Sequence, residues 1–246
     1  MKVLDIKKLE KRFDTIQVLE DIELHIERGE FISIVGPSGC GKSTLFKIIT
    51  GLIREYRGEV RIEGAESRDY TQPISYMPQK DLLLPWRTLY ENARIPLEVS
   101  KKPKGEHSGR ILPLIEEFGL AGFENAYPHE LSGGMRQRGA LLRTFLIESD
   151  LMLLDEPFGA LDAITRMEMQ EWLLEVWQKH NHSILFITHD IDEALFLSDR
   201  VYVMTGRPGR IELEIEVEEE RPRRREILLE ERCMEYKREI LKILRG

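Results

Sequence analysis

Phe31-Ile32-Ser33-Ile34-Val35-Gly36-Pro37-Ser38-Gly39-Cys40-Gly41-Lys42-Ser43-Thr44-Leu45-Phe46-Lys47-Ile48-Ile49 decides the fold. The first five residues, apolar and β-branched, read as a buried strand, and the last five read as a helix. Strand, glycine-rich turn and helix are the context of a phosphate-binding loop. The glycines let backbone N–H groups converge on phosphate oxygens, and the helix N-terminus adds partial positive charge. In that frame Lys42 reaches the β- and γ-phosphates, and the Ser43 hydroxyl is placed to bind Mg²⁺. Gly36, Pro37, Ser38, Gly39, Cys40, Gly41 and Thr44 complete the loop. The chain is expected to bind a nucleoside triphosphate.

Composition narrows the rest. A chain of 246 residues fits one large α/β domain with a small subdomain. A formal net charge of -8 argues against a protein that coats nucleic acid. No run approaches the roughly 18 apolar residues needed to span a bilayer, and the N-terminus has no apolar signal region. Two cysteines, Cys40 and Cys233, make no disulfide framework, as suits a reducing cytoplasm. Cys40 reads either as a reactive thiol near Lys42 or as a small residue that fits the loop.

Strand patterns open the chain at 2–9, 22–26 and 31–35, and recur at 59–62 and 74–77. From about 89 to 125 the pattern turns helical, which defines a helical insert of about 89–150. Strands at 151–154, 184–187 and 201–204 then alternate with helices at 167–178 and 191–197. Such alternation predicts a mostly parallel sheet flanked by helices. Alternating residues from Ile211 to Val217 predict a further strand with a wet face. Beyond Pro222 an amphipathic helix is expected, so residues 221–246 form a helical tail. The arginines at 221 and 223–225 read as a solvated helix start, or as a surface for lipid headgroups or a partner.

Three further motifs carry chemistry. Leu151-Met152-Leu153-Leu154-Asp155-Glu156 delivers two carboxylates to the end of a buried strand, where ligands gather in open α/β sheets. Asp155 suits Mg²⁺ binding, and Glu156 is placed to polarise an attacking water. Leu131-Ser132-Gly133-Gly134-Met135 reads as a serine-capped helix start with exposed N–H groups. His189 follows the apolar strand 184–187, where it can hydrogen-bond a γ-phosphate.

With these residues the chain resembles the ATP-binding subunit of an ABC transporter along nearly all of its length. Residues 36–44 match the Walker A motif, Leu151–Asp155 with Glu156 the Walker B motif, and Leu131–Met135 the family signature. Gln79 matches the Q-loop, Asp162 in Ala160-Leu161-Asp162 the D-loop, and His189 the switch histidine. Phe13 sits where the family stacks an aromatic on adenine. The resemblance implies an N-terminal antiparallel β subdomain beside the P-loop NTPase core, all within a single ATPase domain.

It also implies ATP and Mg²⁺ as cofactors, with Ser43, Gln79 and Asp155 around the metal. Two copies would meet head to tail, so that Leu131, Ser132, Gly133 and Gly134 of one cover ATP on the other. Glu156 would be the general base, His189 would hold the γ-phosphate, and Asp162 would link the two sites. This homodimer would drive integral membrane permease subunits from the cytoplasmic face, served indirectly by a solute-binding protein.

Asp81-Leu82-Leu83-Leu84-Pro85-Trp86, and a later stretch with Asp192-Glu193-Ala194, Ser198-Asp199-Arg200 and Gly206-Arg207-Pro208-Gly209-Arg210-Ile211, resemble importer subunits for nitrate, sulfonate, taurine and pyrimidine precursors. Trp86 would lie near the groove for a permease helix, or else in the core of the helical insert. The competing class is a soluble ABC ATPase acting on nucleic acid, the ribosome or cofactor assembly. Against it, no long coiled coil separates the Walker motifs, and only one ATPase unit is present.

Overall fold

The structure, a computed structural model, describes residues 1–245. The chain runs β1 (Lys2–Phe13), β2 (Ile16–Glu27), β3 (Phe31–Val35), α1 (Lys42–Ile49), β4 (Arg57–Ile62) and β5 (Ala65–Glu66). There follow β6 (Ser75–Met77), α2 (Leu89–Val99), α3 (Lys104–Glu117), α4 (Gly133–Phe145), β7 (Leu151–Asp155) and α5 (Ala163–His180). The last elements are β8 (Ser183–Thr188), α6 (Ile191–Leu197), β9 (Arg200–Thr205), β10 (Arg210–Glu216) and α7 (Glu231–Arg245). Two compact units emerge: residues 1–72 with 176–246, and residues 73–175.

The first unit holds an antiparallel sheet in the order β2-β1-β4-β5. A second set of strands lies in the order β10-β9-β3-β8, where β3 runs parallel to both β8 and β9. Every residue of β3 and β8 is buried, which is why both are mostly apolar, with only Ser33, Ser183 and Thr188 polar, rather than alternating. Phe31 anchors this core against Trp177 and Phe186, at 5.7 and 5.8 Å between ring centres.

The second unit pairs β6 with β7 in parallel and adds α2, α3 and α4. Thr88 caps α2 reciprocally with Glu91. Gly139 lets α2 and α4 approach closely, since a Cβ there would fall 2.8 Å from Leu89 Cδ1. Buried Asn92 accepts from the Leu84 N–H and donates to the carbonyls of Leu84, Arg87 and Thr88, so the segment before α2 is fixed from within.

The expected mix of parallel strands, flanking helices and an N-terminal antiparallel sheet is present. Strands β1 and β2 are each longer than their sequence patterns. Register shifts and left-handed residues at Lys8 and Asp21 interrupt their alternation, and so hide their full extent. The tail arginines differ from expectation. Buried Arg223 donates to the carbonyls of Leu195, Ser198, Val217 and Glu219, and Arg221 pairs with Asp199 and stacks over Trp177. These two arginines are structural ties, neither a solvated helix start nor a lipid-facing patch. Burial pushes the Arg223 guanidinium down to about 10.

Candidate functional site

In the first unit, β3 ends at Val35 opposite Thr188 of β8, so Gly36 and His189 leave the same edge of two adjacent parallel strands. The loop 36–41 then leads into α1, with Gly39 and Gly41 at φ of 80° and 113°. Those values require glycine. Lys42 is buried, and its ammonium donates to the carbonyls of Gly36 at 2.7 Å and Pro37 at 2.9 Å. The amine is thereby held over the mouth of the loop. Cys40 is also buried, with its Sγ 3.9 Å from Lys42 Nζ. Pro37, Ser38, Gly39, Ser43 and His189 are exposed on this edge, and Thr44 is half-buried. Phe13, at the end of β1, is 43% exposed, with the Lys11 ammonium 4.6 Å from its ring centre.

The second unit gathers the carboxylates. Asp155 ends β7 and is buried. Burial, reinforced by the Asp155 charge, pushes the Tyr76 phenol up to about 12. Glu156 follows with φ 47°, a left-handed conformation that costs free energy in any residue but glycine. Gln79 Nε2 donates to Glu156 Oε2 at 3.3 Å, so the residue expected in the Q-loop and the one expected as general base are in direct contact.

Ser132 caps α4 by accepting from the Met135 N–H, and it is exposed together with Gly133. Leu131 is buried beneath them. Gly134 faces Thr165 closely, since a Cβ there would lie 3.0 Å from its methyl group. Asp162 is exposed and accepts from the Thr165 N–H at the start of α5, and hydrogen bonds from Thr165 hold its carboxyl below the ordinary range.

The sequence assigned no contacts to three residues of α4. Arg143 of α4 donates to the carbonyls of Asp81 and Leu82 at 2.7 Å each. Arg136 lies 3.6 Å from the Asp81 carboxylate, and Gln137 donates to the Pro157 carbonyl beside Glu156. Helix α4 thus holds the segments after Gln79 and after Glu156. No sequence signal marks their partners, because arginine and glutamine on a helix ordinarily face water. Trp86, which lies between Leu84 and Arg87, both bonded to Asn92, is 70% exposed, which removes its reading as a core residue.

A model of the ABC transporter family matches residues 19–159. An uncharacterized ABC transporter ATP-binding protein of Methanocaldococcus jannaschii is 42% identical, covering 100% of this chain and 92% of its own. An aliphatic sulfonates import ATP-binding protein of Bacillus cereus is 43% identical, covering 85% and 82%. A dimeric ATP-binding cassette in a post-hydrolysis state, bound to ADP and Pi, superposes with a TM-score of 0.75 at 29% identity, covering 88% and 100%. The chain belongs to the ABC transporter family, as its ATP-binding and ATP-hydrolysing subunit.

Proposed function

We propose that this subunit powers import of a small anionic or heterocyclic solute, with aliphatic sulfonates the leading candidates and nitrate, taurine or a pyrimidine precursor the other members of the class. One observation carries the substrate class: a relative matching 85% of the chain at 43% identity is named for aliphatic sulfonate import. The exposed Trp86 and Leu82, presented by the Asn92 and Arg143 anchors, support docking on integral permease subunits at the cytoplasmic face of the membrane. Among the described residues no helix is long and apolar enough to cross a bilayer, which fits a peripheral subunit.

ATP lies with its phosphates on the loop 36–44, its adenine on Phe13 and its γ-phosphate against Lys42 and His189. A second copy supplies Ser132, Gly133 and Gly134 to cover it, as the dimeric cassette bound to ADP and Pi suggests. Glu156 takes a proton from water, and Gln79, already 3.3 Å away, aligns that carboxylate. Ser43 in the first unit, and Asp155 and Gln79 in the second, each offer an oxygen donor of the kind that Mg²⁺ takes, and these residues would hold the ion. When bound, the ion neutralises charge on the phosphates. Asp155 fits this task because it is a buried carboxylate whose charge is already felt at Tyr76.

The test is co-purification of tagged subunit from native membranes in mild detergent, followed by ligand screening of the associated solute-binding protein. Recovery of a multi-span membrane protein and sulfonate binding are expected. Recovery of only soluble partners, DNA or ribosomes would favour the soluble ABC class instead.

A further inference from the structure

The turn Gly206-Arg207-Pro208-Gly209 joins β9 to β10. In the structure it backs the phosphate loop. Arg207 Nε donates to the Gly39 carbonyl at 2.8 Å, and its guanidinium lies against Gly39, where a Cβ would fall 2.3 Å from Nη2. Two residues on, Gly209 is pressed against the next peptide: a Cβ there would fall 2.0 Å from the Cys40 carbonyl oxygen. The turn is itself immobilised, since Gly209 donates to the Val18 carbonyl and accepts from the Glu20 N–H of β2.

We propose that Arg207 is a positioning residue for nucleotide binding, holding the Gly39–Cys40 peptide with its N–H turned into the phosphate loop. A trans peptide points its C=O and N–H in opposite directions. A cation that draws the Gly39 carbonyl outward therefore turns the Cys40 N–H inward, and that N–H already closes on the Pro37 carbonyl at 3.4 Å across the loop. Gly39, at φ 80°, has more backbone freedom than any other residue type, so without an external tie this peptide can flip. The arginine sets in advance an orientation that phosphate would otherwise have to impose, and ordering costs met before binding appear as affinity.

This inference rests on reading residues 36–44 as the phosphate site, so the experiment separates the two. Binding of ADP and of ATP is measured by calorimetry for wild type, Arg207→Ala, Arg207→Lys and Lys42→Ala. Thermal unfolding without nucleotide and steady-state kinetics accompany it. Arg207→Ala is expected to weaken both nucleotides about tenfold, the order of one charge-assisted hydrogen bond. KM for ATP should rise by the same factor while kcat stays within twofold and the unfolding temperature is unmoved. Arg207→Lys, which retains a cationic donor, should recover part of the affinity. Wild-type affinity in Arg207→Ala alongside a loss in Lys42→Ala would overturn the proposal and leave the phosphate site standing. So would a lowered unfolding temperature with kcat reduced and KM unchanged, since that marks a structural role. Wild-type affinity in Lys42→Ala would overturn both.

Discussion

Gln79 and Glu156, separated by 76 residues in the chain, meet through a 3.3 Å hydrogen bond between carboxamide and carboxylate. Glu156 holds its side chain there from a left-handed backbone conformation, with Gln137 tied to the carbonyl of the next residue. Glu156→Gln is expected to lower ATP hydrolysis by about 10²–10⁴-fold while ATP binding persists. Steady-state turnover beside equilibrium binding checks this, and wild-type turnover would remove Glu156 as the base.

Phe13 presents one ring face near the Lys11 ammonium and is 43% exposed. Stacking on a nucleobase contributes about 1–3 kcal/mol. Phe13→Ala should therefore weaken ATP binding by that amount, and Phe13→Tyr should restore it. Fluorescent-nucleotide titration reads both, and unchanged affinity in the alanine variant would place adenine elsewhere.

Arg143 ties the carbonyls of Asp81 and Leu82 to α4. Charge-assisted bonds of this kind contribute about 1.5–3 kcal/mol each in favourable settings. Arg143→Met should lose about 1–3 kcal/mol of stability in urea unfolding, because water reaches part of the site and offsets the loss. It should also quicken hydrogen exchange across residues 79–86. Stability and exchange both matching wild type would contradict the assignment.

Alkali should unfold the protein through groups that burial keeps neutral. Tyr76 and Tyr202 are pushed up from 10.0 to about 12, and Cys233 from 9.0 to about 11. Because each folded-state value is raised, the folded chain binds more protons than the unfolded chain across this window. Their contribution is fully present below the unfolded-state values and is lost as pH rises through the folded ones, between about 9 and 12. Phenolate absorbance should show these tyrosines titrating together with loss of circular dichroism. Ionisation of every tyrosine near pH 10 with the fold intact would refute this.

What the sequence disclosed followed from how strongly each element is punctuated. The loop 36–44 and the buried strands β3, β7 and β8 were legible because continuous apolar runs end abruptly at glycines, carboxylates or histidine. The start of α4 was legible through its serine cap. Helix α5 begins at Ala163, four residues before its sequence pattern, because Ile164 and Thr165 are poor helix formers and Asp162 supplies the cap through its side chain. Arg221 and Arg223 were misread because a run of like charge ordinarily faces water. Only tertiary structure reveals the buried carbonyls that Arg223 serves. The contacts of Arg143 and Arg207 were hidden for a related reason: their acceptors are backbone oxygens, which carry no residue identity.

Trp86 gives the molecule a built-in optical probe. Of the three tryptophans, Trp177 is buried and stacked beneath Arg221, and Trp172 packs edge-on against Phe118 at 4.9 Å. Trp86 alone stands in water, so it should dominate the red edge of the intrinsic emission. A partner that covers this indole would shift that edge toward the blue. Docking can then be followed by light on the unlabelled subunit, without altering a residue of the surface under study.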